Sequence, residues 1–221
     1  SSHRRQRQMC IRDRDYDELD NLIDSNTKLL FCESIGNPAA NVTDIKKLSE
    51  IAHNNGIPLF IDNTVPSPYL CRPIEHGADI VIHSLTKYLC GHGTTIGGIV
   101  VDSGKFDWAK HKDRFSLFSE PDSAYHGMVF TDACGEAAFI TRLRVVPLRN
   151  MGAAISPMNS FQILQGIESL PVRMDRHCFN AQKVAEFLEA HKNVTWVNYP
   201  GLKNHPDHEL VKKYMNGKAS S

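Results

Sequence analysis

Short runs of branched apolar residues alternate along this chain with longer stretches in which apolar residues recur every three or four positions. Lys28 to Cys32, Ile57 to Ile61 and Asp79 to Ile82 are runs of the first kind. Continuous apolar runs of that length, bounded by turn signals, predict neighbouring strands buried in a parallel sheet. Between the first two, Val42, Ile45, Leu48 and Ala52 fall on one face of a helix. Asn41, with Asp44 three residues on, is placed to cap that helix, and Gly56 to end it in a left-handed turn. A connection through Pro66, Pro68 and Pro73 then leads to the third run. The order is β-α-β, whose crossovers should be right-handed.

Farther on, Gly98 to Val101 reads as another strand. Thr131 to Leu148 carries a helical pattern interrupted at Pro147. Asn159 to Leu170 and Val172 to Ala190 predict long helices split near Pro171, leading into a strand over Val194 to Asn198. No internal repeat or low-complexity linker interrupts the chain.

The chemistry gathers where two of these strands end. The second run delivers Asp62-Asn63-Thr64, and the third delivers His83-Ser84-Leu85-Thr86-Lys87 followed by the glycine-rich stretch Gly91 to Gly98. In open α/β sheets, ligands bind beyond the carboxyl ends of the strands, so Asp62 and Lys87 are expected to face one crevice. A lysine there can form a Schiff base with a carbonyl and later shuttle protons. Two hydroxyls, Ser84 and Thr86, can donate to a phosphate. An aspartate can keep a pyridine nitrogen protonated, so that the ring withdraws electrons from a substrate carbanion. Together these are the requirements of pyridoxal phosphate chemistry. Read singly, a loop lysine is solvated and an aspartate after a strand is a turn or cap residue. The glycines do not form a nucleotide P-loop, because no Gly-Lys-Ser/Thr follows them.

Composition narrows the class. Lys plus Arg equals Asp plus Glu, at 25 each in 221 residues. Residues 1–14 hold five Arg and one Asp, so the rest carries 20 basic against 24 acidic residues, which argues against a nucleic-acid surface. Cys10, Cys32, Cys71, Cys90, Cys134 and Cys178 are widely spaced without a C-x-x-C pair, which predicts reduced thiols in a cytoplasmic protein. No apolar run approaches the roughly 20 residues needed to span a bilayer. Among eleven histidines, His76, His83 and His92 lack the i, i+4 spacing of a helical zinc pair, and His205-Pro206-Asp207-His208 reads as a turn, so no metal site is expected. His92 is expected to hydrogen-bond the glycine loop.

Several separate segments in order carry a family resemblance. Glu33 to Pro38, Asp62 to Thr64 and His83 to Lys87 resemble the cysteine/methionine-metabolism family of pyridoxal-phosphate enzymes. Gly91 to Gly98, Asp102 to Trp108 and Asn198 to Leu202 resemble its O-acetylhomoserine sulfhydrylase branch. The resemblance covers residues 15 to 221 and implies a role for each matching position. Lys87 becomes the Schiff-base lysine, Asp62 the partner of the pyridine nitrogen, and Ser84 and Thr86 phosphate ligands. Asn37 stands beside the cofactor and the substrate carboxylate, or else forms an Asn-Pro turn. Glu33 matches a motif position without a role.

The resemblance further implies a fold-type I α/β architecture, a three-layer α/β/α large domain with a mainly parallel sheet, followed by the start of a smaller α+β domain. Residues 15–158 would be part of the large domain, 159–191 linking helices and 192–221 the start of the second domain. The implied reaction is γ-replacement, in which O-acetylhomoserine and sulfide or a small thiol give homocysteine or its S-alkyl analogue and acetate. A γ-lyase, a cystathionine γ-synthase and an inactive fragment are the alternatives. Relatives suggest a homotetramer built from dimers. They also supply a phosphate loop before this region and a carboxylate-binding arginine after it, so the chain is expected to be a central fragment. Residues 1–14 carry no apolar period and resemble a translated adapter more than native protein.

Overall fold

The structure is a computed structural model that describes residues 16–220. The basic leader expected at residues 1–14, and Cys10 with it, lies outside the described residues.

Among the described residues four strands form one sheet in the order β1-β2-β3-β4: β1 Leu30–Glu33, β2 Leu59–Asp62, β3 Ile80–Ser84 and β4 Gly98–Asp102. The first three are parallel, with Glu33 beside Asp62 and Asp62 beside Ile82. β4 returns antiparallel to β3, pairing His83 with Ile99 and Ser84 with Gly98. That pairing extends β3 two residues past the expected Ile82, because the ladder holds His83 and Ser84 extended.

The apolar runs become the core. Ile57, Leu59, Ile61 and Ile80 are fully buried, each contributing about 1.5–3 kcal/mol relative to exposure. Among the described residues β4 pairs only with β3, and Ile99 and Val101 are exposed along it. Phe31 on β1, the opposite edge strand, is exposed as well.

Ten α-helices surround the sheet among the described residues. The first is α1 Tyr16–Leu19, then α2 Ile45–Asn54 and α3 Ser67–Leu70. They are followed by α4 Ser116–Ser119, α5 Phe130–Cys134, α6 Ala138–Leu143 and α7 Arg149–Met151. The last three are α8 Pro157–Glu168, α9 Leu170–Glu189 and α10 His208–Met215. α2 buries the predicted face of Ile45, Leu48 and Ala52, with Val42 buried just before it. Its cap is Asp44, which accepts the Lys47 N–H, and not Asn41. The chain cannot turn helical at Asn41 because Val42 bridges Ile35 and the Thr43 N–H bonds the Ser34 carbonyl, keeping this arm extended. Gly56 closes the helix at φ +63, as expected.

Three further expectations are corrected. The helical stretch before residue 148 is broken into α5, a 3-10 turn, α6 and a π-helical turn, Arg144–Leu148, which accommodates Pro147 in its interior. α8 and α9 part at Ser169, and Pro171 lies in the first turn of α9, where its missing N–H costs nothing. Val194–Asn198 is not a strand. No described strand lies beside it to complete a ladder, and Trp196 is 77% exposed.

At the amino ends of the strands, buried Asp79 ties three elements together. One of its carboxylate oxygens accepts the Leu59 N–H at 2.8 Å and lies 2.8 Å from His53 Nε2 of α2, while its backbone carbonyl accepts the Ser103 N–H. The His53–Asp79 hydrogen bond raises the imidazole above its ordinary value, against a smaller opposing effect of burial.

Candidate active site at the carboxyl ends of the strands

Parallel strands bring Glu33, Asp62 and Ser84 to the same end of the sheet. The β2 end is locked first. Asn63 is buried, and its amide accepts the Ser34 hydroxyl at 2.8 Å and donates to the carbonyls of Cys71 at 2.8 Å and Ser67 at 3.2 Å. Both amide hydrogens and the amide oxygen are therefore used, which leaves the side chain one orientation. Ser67 is held at φ +60, a strained conformation for a residue with a β-carbon, and the Asn63 contacts help to maintain it.

Asp62 is half-buried, and Oδ1 accepts the Thr64 N–H at 2.9 Å. The Thr64 hydroxyl in turn accepts the Ser84 N–H at 2.8 Å. Asp62, Thr64 and Ser84 thus form one hydrogen-bonded chain across the ends of β2 and β3. Thr64 stands in the Asp62-Asn63-Thr64 motif without an expected role, and its position two residues after a strand-end aspartate is the signal the sequence carries for this one.

From Ser84 the chain turns. The Lys87 N–H bonds the Ser84 carbonyl, and the Lys87 carbonyl accepts the Gly91 N–H at 2.8 Å. Lys87 is exposed, and among the described residues no ion pair or hydrogen bond engages its ammonium. The Thr86 hydroxyl accepts the Gly97 N–H at 3.2 Å and points its own proton at the Gly97 carbonyl at 3.4 Å, pinning the glycine-rich loop. A phosphate would have to compete for that proton. His92 bonds the Cys90 carbonyl through Nδ1 at 2.7 Å, so its partner is the residue just before the glycine-rich loop and not the loop itself.

Asn37 stands exposed in the loop after β1, at the same end of the sheet, preceding a cis peptide to Pro38. Its N–H bonds Glu33 Oε2 at 2.8 Å, which gives the motif glutamate a visible structural job. No hydrogen bond joins Asn37 to Asp62 or Ser84. Behind the site, His83 is buried. Burial pulls its imidazole below the ordinary value, with the Asn63 backbone and the Asp62 carboxylate acting in the opposite direction.

The donor set fits pyridoxal phosphate: a primary amine unpaired among the described residues, a carboxylate with a single backbone hydrogen bond, and a strand-end hydroxyl, all at the carboxyl ends of the central strands β2 and β3. Two cavities of about 410 Å³ lie elsewhere and include none of these residues. One opens beside His53 and Asp79, the other beside Phe60, Trp108 and Phe139. Among the described residues no three His, Cys, Asp or Glu side chains are grouped to hold a metal ion, and no helix is long and apolar enough to cross a membrane. The five described cysteines are free thiols, with Cys71 pushed up to about 12 by burial.

A lysine in the turn after β3, with an aspartate at the end of the neighbouring parallel strand β2, points to a class, and comparison with known proteins gives that class its family. Residues 4–220 match the Cys/Met metabolism PLP-dependent enzyme family, and the chain belongs to it. The homocysteine synthase of Schizosaccharomyces pombe is 53% identical over 194 residues, covering 87% of this chain and 45% of that protein. The O-acetyl-L-homoserine sulfhydrylase of Leptospira meyeri is 52% identical over 196 residues, covering 85% and 44%. A crystal structure from Campylobacter jejuni, described as an O-acetylhomoserine (thiol)-lyase bearing a pyridoxyl-lysine phosphate, superposes with a TM-score of 0.89 at 41% identity. That match covers 93% of this chain and 51% of the other. The chain therefore has the fold of this family, and it spans about half the length of the curated relatives it matches.

Proposed function

We propose that Lys87, Asp62, Ser84, Thr86 and Asn37 belong to the pyridoxal phosphate site of an enzyme that replaces the acetoxy group of O-acetylhomoserine by sulfide or a small thiol. The products are homocysteine, or its S-alkyl analogue, and acetate. The observation that carries this reading is the hydrogen-bonded chain from Asp62 through Thr64 to Ser84, which ties the aspartate to the turn bearing the unpaired lysine.

When bound, the cofactor supplies an electron sink for negative charge at the substrate Cα. Lys87 holds the cofactor through its side-chain nitrogen and, once released, moves a proton at that nitrogen between cofactor-activated carbons. Asp62 keeps the proton on the pyridine nitrogen by its negative charge. Ser84 donates its hydroxyl proton to the phosphate, and Thr86 joins by giving up its long bond to Gly97. Asn37 serves the cofactor and the substrate carboxylate.

The names of the Schizosaccharomyces pombe and Leptospira meyeri relatives, at 53% and 52% identity, support this substrate and this product. The reading extends to a cytoplasmic homotetramer of two dimers. Five free thiols among the described cysteines support a reducing compartment. In the same reading, residues 15–158 are part of the large domain, 159–191 link it to a second, and 192–221 begin that second domain.

The test is an assay of O-acetylhomoserine with pyridoxal phosphate, with and without sulfide, on the chain and on a form extended to the relatives' length. Homocysteine and acetate formed only with sulfide support the reading. α-Keto acid and ammonia formed without sulfide replace it by a lyase, and no turnover in either folded form contradicts it.

A further inference from the structure

The elbow between α8 and α9 packs directly against the turn that carries Lys87. Gly166 of α8 approaches the Cys90 carbonyl so closely that a β-carbon at 166 would lie 2.0 Å from that oxygen. Gly91, at φ +76, lies against the Arg173 guanidinium, and a β-carbon at 91 would lie 2.5 Å from its central carbon. Gly97 is closed in the same manner, with Ile163 and Ile155 at 2.8 and 3.1 Å from the corresponding point. α8, α9 and Ile155 just before α8 therefore occupy the space that side chains would take along this loop.

Arg173 is itself held from the helix side. Nη2 donates to the Gly166 carbonyl at 2.7 Å, and Nε donates to the Ser169 hydroxyl at 3.0 Å. Ser169 also donates to the Gly166 carbonyl. Nη1 is buried and has no hydrogen-bond partner among the described residues. One turn along α9, the His177 ring packs on Tyr88 with centroids 5.5 Å apart. Residues one helical turn apart thus touch Tyr88 and Gly91, on either side of the turn, and the Gly91 N–H holds the Lys87 carbonyl.

We infer that Arg173 is a positioning residue for Lys87, acting through the Gly91 turn. The guanidinium fixes Gly91 against the elbow, Gly91 fixes the Lys87 backbone, and the side chain of Lys87 then starts from a set place. This rests on the reading of Lys87 as the cofactor-bearing lysine. A displacement of about 1 Å at a reacting group can cost about a hundredfold in rate, so loosening this latch should slow attachment of the cofactor to Lys87.

The experiment measures the rate at which pyridoxal phosphate, trapped by borohydride, labels Lys87 in the full chain. Hydrogen exchange at the Gly91 amide is followed in the same samples, and circular dichroism reports the fold. Arg173→Ala is expected to slow labelling at Lys87 about tenfold and to speed Gly91 exchange, with other lysines unaffected. Ser169→Ala, which removes the Nε acceptor and the hydroxyl's own bond to the Gly166 carbonyl while leaving the guanidinium in place, should do the same to a smaller degree, and it decides the matter if Arg173→Ala does not fold. Arg176→Ala, whose guanidinium lies over Phe179 at 5.6 Å, should change neither. Wild-type labelling rates and wild-type Gly91 exchange in folded Arg173→Ala or Ser169→Ala overturn the inference. A wild-type chain that takes no label at Lys87 refutes the cofactor reading instead, and the Gly91 exchange then decides the positioning role by itself.

Discussion

The Thr64 hydroxyl accepts the Ser84 N–H at 2.8 Å, joining the ends of two parallel strands by a side chain where their backbone ladder stops. Through its own N–H, Thr64 also holds Asp62. One short side chain therefore sets the separation between the aspartate of β2 and the turn that leaves β3. Thr64→Val keeps the shape and removes the acceptor. It is expected to cost about 1–3 kcal/mol in urea unfolding, while Thr64→Ser should cost less.

Asp62→Ala should leave Lys87 able to take pyridoxal phosphate yet lower turnover by about a hundredfold or more in protein extended to the relatives' length. The lost charge is the one that keeps the pyridine nitrogen protonated. Comparing covalent labelling with turnover in the same preparation separates the two effects. Near-normal turnover would remove Asp62 from the mechanism.

His53 predicts a pH dependence of stability with a definite sign. Its hydrogen bond to buried Asp79 raises the folded-state value above the ordinary 6.5, so the folded protein binds the proton more tightly than the unfolded chain. The contribution is full below 6.5 and is lost as pH rises through the raised value. The His53 side chain is 43% exposed, so solvent screening keeps the effect small. His76, His83 and His111 are lowered by burial and act with the opposite sign, so the wild-type profile alone is mixed. The difference between wild type and His53→Gln in urea unfolding should shrink as pH rises above neutrality. A difference that stays constant would show that the pair contributes no proton-linked stability.

Gly166→Ala reverses a general rule. Inside a helix that change ordinarily stabilises by about 1 kcal/mol. Here the added carbon would meet the Cys90 carbonyl, a backbone atom that cannot swing away. A loss of about 1–3 kcal/mol is expected in thermal or urea unfolding.

The strands were legible because Ile57 to Ile61 and Ile80 to Ile82 are unbroken apolar runs, which are recognised without knowing the partner strand. The face of α2 was legible for the same local reason, its period. Asn41 failed as a cap because the bridge from Val42 back to Ile35 is set by the fold, and nothing in the local spacing reveals it. Val194 to Asn198 has strand composition, but a strand exists only beside another. In the site, Asp62, Ser84 and Lys87 stand at the ends of recognisable runs. His53 with Asp79, and Arg173 with Gly91, join positions far apart in the chain, and no motif spacing relates them.

Everything proposed for this site depends on Lys87 carrying pyridoxal phosphate. Adding the cofactor to the folded protein, reducing with borohydride and mapping the modified peptide by mass spectrometry tests it directly. The label is expected on Lys87 and is expected to be lost in Lys87→Ala together with all turnover. A label confined to other lysines, or none in a protein shown to be folded, would contradict it.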